Sequence, residues 1–188
     1  MAGGACIGAG IGPAKIDAVI GVYKAYITRV GAGPMPTRLE DETGELLREH
    51  GNEYGTVSGR PRDCGWFDAI AGKMTCRVNG FTGLALTKLD NLDTLPVLKI
   101  CTAYELDGRT IDYFPGTLSA LERVRPVYEE LEGWLTDTTG IQEYADLPVQ
   151  TQRYIDRIEE LVCCPVTFVC VGPERGQTIW KRELLETR

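Results

Sequence analysis

The chain has 188 residues, of which 43% are hydrophobic and 25% are charged, and its formal net charge is −7. This acidic balance argues against a nucleic acid or a membrane surface as a general partner. No apolar run is long enough to span a membrane, and no signal peptide is evident. The seven cysteines form no CxxC pair and several lie in apolar runs, which predicts reduced, mostly buried thiols in a cytoplasmic protein. His50 is the only histidine, so we expect no metal site.

The first part of the chain is rich in glycine and alanine. Residues 2–12 are predicted to form a loop, because no strand precedes them as a dinucleotide-binding glycine motif would require. Pro13 suits the first turn of a helix, and apolar residues then recur at helical spacing. This pattern predicts a helix over residues 12–26 whose apolar side packs in the core. An ordered loop follows over residues 28–37, in which Arg29 is either an anion contact or a solvated side chain.

Two further helices are predicted before the middle of the chain. The first is a short charged helix over residues 39–50, with Gly51 as its stop signal. We interpret His50, its last residue, as packed or exposed rather than catalytic, because no partner pair is visible for it. The second covers residues 66–77.

The rest of the chain alternates between strands and helices. Residues 81–87 (FTGLALT) and 165–171 (PVTFVCV) have the composition of short buried strands, and the Asp107-Gly108 pair predicts a hairpin turn. The other predicted elements are strands over residues 97–105 and 109–114, a short helix over 118–125, a strand or turn over 128–134, a helix opened by Pro148, and an edge strand over 177–182. The alternation predicts an α/β fold with a partly parallel sheet.

One stretch, residues 51–68 (GNEYGTVSGRPRDCGWFD), has neither helical nor strand periodicity and is predicted to be a long ordered loop. Its glycines allow close backbone approach, and Thr56 and Ser58 offer hydroxyls. Arg60 and Arg62 can each bind a carboxylate or a phosphate through two parallel hydrogen bonds. The pattern indicates a loop that grips anions, with an ordinary polar surface loop as the alternative.

The buried strand at residues 81–87 ends in Thr87-Lys88-Leu89-Asp90, a form suited to reading guanine. One carboxylate can accept hydrogen bonds from the ring N–H and the exocyclic amine of guanine, a donor pair that adenine does not present on one edge. The Lys88 stem can lie over the purine face. The second buried strand ends in Cys170-Val171-Gly172-Pro173, and ligands bind beyond the carboxyl ends of strands in open α/β sheets. A helix-capping role is the alternative for Asp90.

Four segments together carry a resemblance to a known family: TRVGAGPMPT, DETGELLREHGNEYGTVSGRPRDCGWFD, GLALTKLDNLD and VGPERGQTI. In this order and spacing, residues 1–188 resemble the carboxy-terminal part, roughly the second half, of the single domain of the adenylosuccinate synthetase family. The resemblance implies an α/β fold with a mainly parallel sheet flanked by helices, like that of P-loop NTPases but lacking its amino-terminal half. It also implies GTP-dependent ligation of IMP and L-aspartate to adenylosuccinate, a C–N bond-forming step of AMP synthesis, in a cytoplasmic homodimer that uses Mg²⁺.

The resemblance further implies roles for particular residues. Residues 56–58 would hold the aspartate carboxylates, Arg60 would bridge aspartate and the IMP ribose, and Arg62 would contact aspartate and GTP. The residues expected to bind aspartate or IMP are Val30, Thr56, Val57, Ser58, Gly59, Arg60, Pro61 and Arg62. The residues expected to bind GTP are Arg62, Lys88, Leu89, Asp90, Cys170, Val171 and Gly172. Pro61 and Cys170 stand where many members have arginine and serine, and neither change removes a backbone contact.

The phosphate loop of the family, a GDEGKGK-like string, is absent from this sequence, as are the histidine and the aspartate that assist phosphoryl transfer. No catalytic residue and no metal ligand is therefore expected in this chain, and the magnesium ligands are expected in the missing half. Because phosphoryl transfer depends on positioning and charge stabilisation, the chain alone is expected to be inactive. Two alternatives stay open: a non-catalytic guanine-nucleotide-binding fragment, and a remnant that does not fold alone.

Overall fold

The computed structural model describes residues 1–183, which form five α-helices and ten β-strands. The helices are α1 (Ala2–Ala9), α2 (Glu42–His50), α3 (Ala69–Asn79), α4 (Leu118–Leu121) and α5 (Val149–Val162). The strands are β1 (Ile20–Lys24), β2 (Ile27–Arg29), β3 (Asp63–Gly65), β4 (Phe67–Asp68), β5 (Gly83–Thr87), β6 (Val97–Leu106), β7 (Arg109–Ile111), β8 (Arg125–Glu132), β9 (Val166–Cys170) and β10 (Thr178–Trp180).

The main sheet has the strand order β1-β5-β9-β10. The first three strands run parallel to one another, and β10 closes one edge antiparallel to β9. A second sheet is built on the long strand β6, which pairs in parallel with β4 and antiparallel with β7 and β8. Strands β2 and β3 form a separate antiparallel ribbon. The result is a mixed α/β fold with a mostly parallel sheet and flanking helices, as the sequence predicts.

The core lies where α5 covers β5 and β9. Leu84, Leu86, Val166 and Val169 are fully buried in these strands. Tyr154 of α5 and other buried apolar residues of that helix belong to the same core cluster. Burying one such aliphatic side chain contributes about 1.5–3 kcal/mol, so the central strands anchor the fold. Their carboxyl ends are held in fixed positions for the same reason.

Several local signals act as the sequence predicts. β5, β9 and the edge strand β10 all form, and α5 begins directly after Pro148. The β6–β7 hairpin turns at Asp107 (φ 50°) and Gly108 (φ 77°), because a two-residue turn of this type needs positive φ at both positions. α2 ends at His50 with Gly51 as its C-cap, as predicted, but it begins at Glu42 rather than at residue 39, because the Asp41 side chain caps it there.

The prediction for the first 26 residues is wrong in both halves. Residues 2–9 form the helix α1, and Gly10 acts as its left-handed cap (φ 65°) instead of breaking it. Only a single 3-10 turn follows Pro13, and Ile20–Lys24 is the strand β1. Residues 20–24 form a strand because their backbone pairs with β5. Gly21 suits this position, since a Cβ there would lie 2.5 Å from the Phe81 ring. The helical spacing of the apolar residues is therefore coincidental.

Some element boundaries also differ from the prediction. Residues 63–68 are the strands β3 and β4 rather than loop, and α3 begins at Ala69 because Asp68 caps it through the amides of Ile70 and Ala71. α4 ends at Leu121, and β8 begins at Arg125 because its backbone pairs with β6 over most of its length.

Candidate functional site

Residues 51–62 form a hairpin with a clamped base and an exposed tip. The Gly55 amide donates to the Arg60 carbonyl (2.8 Å), and the Arg62 amide donates to the Glu53 carbonyl (2.9 Å). At the tip, the Gly59 amide donates to the Gly55 carbonyl (2.7 Å), and its φ of 63° suits glycine. The predicted ligand-binding residues Thr56, Val57, Ser58, Gly59, Arg60 and Pro61 are all exposed. The hydroxyls of Thr56 and Ser58 and the Arg60 guanidinium are accessible to a ligand.

Arg62 differs from the tip residues, because its guanidinium is partly buried and paired. Its Nη1 lies 2.8 Å from Glu53 Oε2, and its carbonyl accepts a hydrogen bond from Arg48 Nε (3.0 Å). The Glu53 carboxylate is 1% exposed and also accepts from Lys24 Nζ (2.7 Å) and Tyr26 Oη (2.8 Å). Burial would raise the pKa of Glu53, but the bonds from Lys24, Tyr26 and Arg62 outweigh it and hold the pKa below its ordinary value.

Val30 directly follows β2 and is half exposed. The ribbon pairs Arg29 with Asp63, which brings Val30 beside the base of the hairpin. Arg29 donates to the carbonyls of Gly33 and Pro34. It therefore holds the loop after β2 in place and is paired rather than solvated, and its role as an anion contact stays a prediction.

The two predicted guanine-reading segments lie side by side. The Leu89 amide, just beyond β5, donates to the Cys170 carbonyl at the end of β9 (3.3 Å). Lys88 takes a left-handed conformation (φ 64°), and its ammonium donates to the Gly51 carbonyl at the start of the hairpin (2.8 Å). The structure thus brings together three segments that are far apart in the sequence, residues 51–62, 88–90 and 170–172.

Asp90 is half-buried and begins a 3-10 turn in which Leu89 occupies the N-cap position, so its carboxylate does not cap that turn. Among residues 1–183, its buried Oδ1 atom meets no hydrogen-bond donor. Burial raises the pKa of Asp90, and the Lys88 charge only partly opposes that effect. An acceptor left without a partner costs free energy, which a ligand carrying N–H donors can recover.

The end of β9 is shaped by Gln177. The Val171 amide donates to the Gln177 carbonyl (2.9 Å), and the Gln177 side chain donates to the Thr139 carbonyl (3.0 Å). Gly172 packs so closely on Gln177 that a Cβ would lie 2.2 Å from its side-chain oxygen, so a larger residue here would displace the Gln177 side chain. Residues 170–172 therefore keep a fixed backbone path beside Leu89.

A second buried carboxylate, Asp93, holds the segment 134–139, which faces Asp90 across a pocket. It accepts hydrogen bonds from Trp134 Nε1 (2.6 Å) and from the backbone amide (2.7 Å) and hydroxyl (3.0 Å) of Thr138. Burial raises its pKa, and these bonds oppose the rise. The segment 134–139 is thereby fixed beside Asp90, and an open pocket of about 500 Å³ lies between them.

Sequence reasoning missed the residues that hold the site together, which are the partly buried Lys24 and the buried Tyr26, Glu53, Asn91, Asp93, Trp134 and Thr138. Glu53 is the only acidic residue between Gly51 and Arg62, and Asp93 is the second acidic residue of the TKLDNLD string. Both signals are present in the chain, but neither says that the side chain is buried. Their partners lie on other elements.

His50 and the cysteines lie in the environments that the sequence predicts. His50 is exposed at the end of α2, and five of the seven cysteines are buried while Cys163 is exposed, which confirms mostly buried thiols. Within residues 1–183, no cluster of three or more histidine, cysteine, aspartate or glutamate residues could hold a metal ion. No helix in this part of the chain has both the length and the apolar character needed to cross a membrane.

Comparison with known proteins identifies the relatives of the chain. Residues 1–179 match the sequence profile of the family described as adenylosuccinate synthetase. The chain is 54% identical over 181 residues to the adenylosuccinate synthetase of Dehalococcoides mccartyi strain 195 and 52% identical over 180 residues to that of Thermomicrobium roseum. These matches cover 96% of this chain but only 43% and 42% of the relatives, so the chain spans less than half their length.

A solved structure shows the same relationship in three dimensions. The fully ligated adenylosuccinate synthetase from Plasmodium falciparum superposes with a TM-score of 0.92 at 37% identity. The superposition covers 96% of this chain and 43% of that one. The order of the site segments, the fold and the sequence matches agree, and the chain belongs to the adenylosuccinate synthetase family, of which it represents a partial, carboxy-terminal piece.

Proposed function

We propose that this chain is the guanine- and aspartate-binding part of an enzyme that uses GTP to join IMP and L-aspartate into adenylosuccinate. One observation carries the proposal: the hairpin 51–62 is fastened to the end of β5 through Lys88, and the end of β5 is hydrogen-bonded to the end of β9. A guanine nucleotide bound at the strand ends would therefore lie beside a loop suited to a dicarboxylate.

At the strand ends, the Asp90 carboxylate would accept from the ring N–H and the amine of guanine, and its Oδ1, which meets no donor within residues 1–183, supplies capacity for this. The Lys88 stem would lie along the base, and the backbone of residues 170–172 would meet its other edge. At the hairpin, residues 56–58 would hold the aspartate carboxylates, Arg60 would reach aspartate and the IMP ribose, and Arg62 would reach aspartate and GTP. Val30 would line the IMP pocket, and Leu89, Gly59 and Pro61 would contribute backbone.

In the reaction, the terminal phosphoryl group of GTP is transferred to the 6-oxygen of IMP, and the amine of aspartate then displaces that phosphate. The contribution of these residues would be to orient aspartate and to stabilise negative charge, which is the larger part of phosphoryl-transfer catalysis. Residues 1–183 contain no group of three or more histidine, cysteine, aspartate or glutamate side chains placed to hold a metal ion, so the ligands of the Mg²⁺ ion that the family implies would come mainly from the part of the enzyme outside this chain. The whole protein would act as a cytoplasmic homodimer.

An activity assay on two proteins tests the proposal. One is residues 1–188 alone, and the other is a chimeric synthetase, in which the remaining part of the 54% identical relative is joined ahead of residue 1. It is expected to form adenylosuccinate from IMP, aspartate and GTP, whereas residues 1–188 alone form none. A folded chimera that makes no product would contradict the proposal, and turnover by residues 1–188 alone would contradict the need for the other part.

A second candidate is a fragment that binds guanine nucleotides without catalysis, which the direct bond between the two strand ends favours. The measurement is equilibrium binding of GDP and ADP to residues 1–188. GDP binding that depends on Asp90 but not on IMP or aspartate, together with an inactive chimera, would select this candidate.

A further inference from the structure

Glu53 has no role in the reaction as proposed, yet it lies within the hairpin and its buried carboxylate accepts four hydrogen bonds. It is 1% exposed, and both of its oxygens accept from Lys24 Nζ, at 2.7 and 2.8 Å. Oε1 also accepts from Tyr26 Oη, and Oε2 accepts from Arg62 Nη1, each at 2.8 Å. A buried ion pair of this kind is weak evidence for stability, because desolvation offsets much of the attraction, so its geometry is the informative feature.

One arm of this arrangement fixes Arg62. Glu53 engages one terminal nitrogen of the guanidinium, while Nε and Nη2 meet no hydrogen-bond acceptor within residues 1–183. The bond to this nitrogen restricts the position of the group, and the remaining N–H donors are left for a ligand. A planar fork held from one side loses less conformational freedom when it binds a carboxylate or a phosphate.

The other arm leads to the strand end that carries Asp90. Tyr26 Oη, which donates to Glu53, accepts in turn from Asn91 Nδ2 (3.1 Å), and Asn91 directly follows Asp90. Tyr26 and Asn91 are both buried, where hydrogen bonds are stronger than in water. A second link joins the same two segments, from Lys88 to the Gly51 carbonyl.

We infer that Glu53 is a positioning residue that aims Arg62 at aspartate and, through Tyr26 and Asn91, couples this aim to occupancy of the guanine site. The inference rests on the proposed function, because it assigns Arg62 to aspartate and Asp90 to guanine. By linkage, if a nucleotide bound at residues 88–91 favours the aimed position of Arg62, it strengthens aspartate binding, and aspartate strengthens nucleotide binding by the same factor.

The test measures KM and kcat for the chimeric synthetase and its variants. Glu53→Gln leaves one oxygen, which can still serve Lys24 and Tyr26, and turns an N–H group toward Arg62. We expect KM for aspartate to rise about ten-fold or more, with kcat falling less, since Arg62 is displaced from its aim. In a double-variant cycle with Arg62→Leu, adding Glu53→Gln should cause no further loss, because Glu53 acts only through Arg62.

Tyr26→Phe separates the two arms. It removes the hydroxyl that joins Asn91 to Glu53 and leaves the Glu53–Arg62 pair in place. KM for aspartate at saturating GTP should stay close to the native value, while its dependence on GTP concentration should weaken. Undiminished dependence on GTP in Tyr26→Phe would remove the coupling from the inference.

The matched control is Glu159→Gln, which alters a carboxylate that pairs with Lys181 (2.9 Å) and Arg182 (2.6 Å) away from the hairpin. It should leave every kinetic constant unchanged, and thermal unfolding should show that all variants are folded. An unchanged KM for aspartate in folded Glu53→Gln, or additive losses in the double variant, would overturn the inference alone. A native chimera that makes no adenylosuccinate would overturn the proposed function and this inference with it.

Discussion

The ammonium of Lys88 lies 2.8 Å from the carbonyl oxygen of Gly51, so the end of the central strand β5 is fastened to the start of the 51–62 hairpin. The bond joins the segment proposed to read guanine to the loop proposed to hold aspartate. Both groups are held by rigid surroundings, since Gly51 is buried at the end of α2 and Lys88 is fixed in a left-handed backbone conformation.

Lys88→Met should loosen the hairpin without unfolding the protein. The methionine keeps an apolar stem of similar length but loses the bond to Gly51, whose net contribution is about 1 kcal/mol. Amide hydrogen exchange of residues 51–62 should accelerate about five-fold, while β5 stays protected. The control is Lys99→Met, which removes a partly exposed ion pair between Lys99 on β6 and Glu130 on β8. Unchanged exchange in the hairpin would show that the bond does not restrain it.

Asp90→Asn should change the base that the chain prefers. An amide can no longer accept two hydrogen bonds from guanine, but its N–H₂ group can donate to the 2-oxygen of xanthine. Affinity for GDP should fall by about 1–3 kcal/mol, roughly ten- to a hundred-fold, and affinity for XDP should rise. Equilibrium titration of both nucleotides measures the change.

Asp107→Asn removes an exposed carboxylate that pairs with Arg123 on the β6–β7 hairpin, and it should leave both affinities unchanged. Equal GDP binding by Asp90→Asn and the native chain would rule out Asp90 as the reader of the base.

The contribution of Glu53 to stability should depend on pH in a defined direction. Its folded pKa lies below the ordinary value of 4.5, so its stabilising effect is fully present above 4.5 and is lost as pH falls through the folded pKa. The difference in unfolding free energy between the native chain and Glu53→Gln should therefore be largest near neutral pH and shrink in acid. Urea unfolding at a series of pH values measures it, and a difference that grows below pH 4.5 would give the wrong sign.

Asp93→Ala should destabilise the protein and release the segment 134–139. The change leaves the Trp134 indole N–H and the Thr138 amide buried without an acceptor, at a cost of about 1–3 kcal/mol each. Urea unfolding, followed by tryptophan fluorescence, should show a lower midpoint. Asp137→Ala removes an exposed carboxylate that bonds to Thr139 in the same segment and should cost much less. Equal losses in the two variants would mean that burial of Asp93 adds nothing.

The sequence alone determined what depends on local chemistry and on family motifs. The apolar runs of β5 and β9, the Asp107-Gly108 turn and Pro148 ahead of α5 each predicted their element, because the preference lies within a few adjacent residues. The order and spacing of four motifs also indicated the family. The roles of Val30, Thr56, Val57, Ser58, Gly59, Arg60, Pro61, Arg62, Lys88, Leu89, Asp90, Cys170, Val171 and Gly172 remain predictions.

Only the tertiary structure decided which residues support that site. Ile20–Lys24 has a helical spacing of apolar residues but becomes a strand, because its backbone pairs with β5, far along the chain. Glu53 lies in a polar loop but is buried, because Lys24 and Tyr26, at the end of β1, and Arg62, at the far end of the hairpin, converge on it. Burial and buried hydrogen bonds arise from contacts between distant residues, so they come into existence only when the chain has folded.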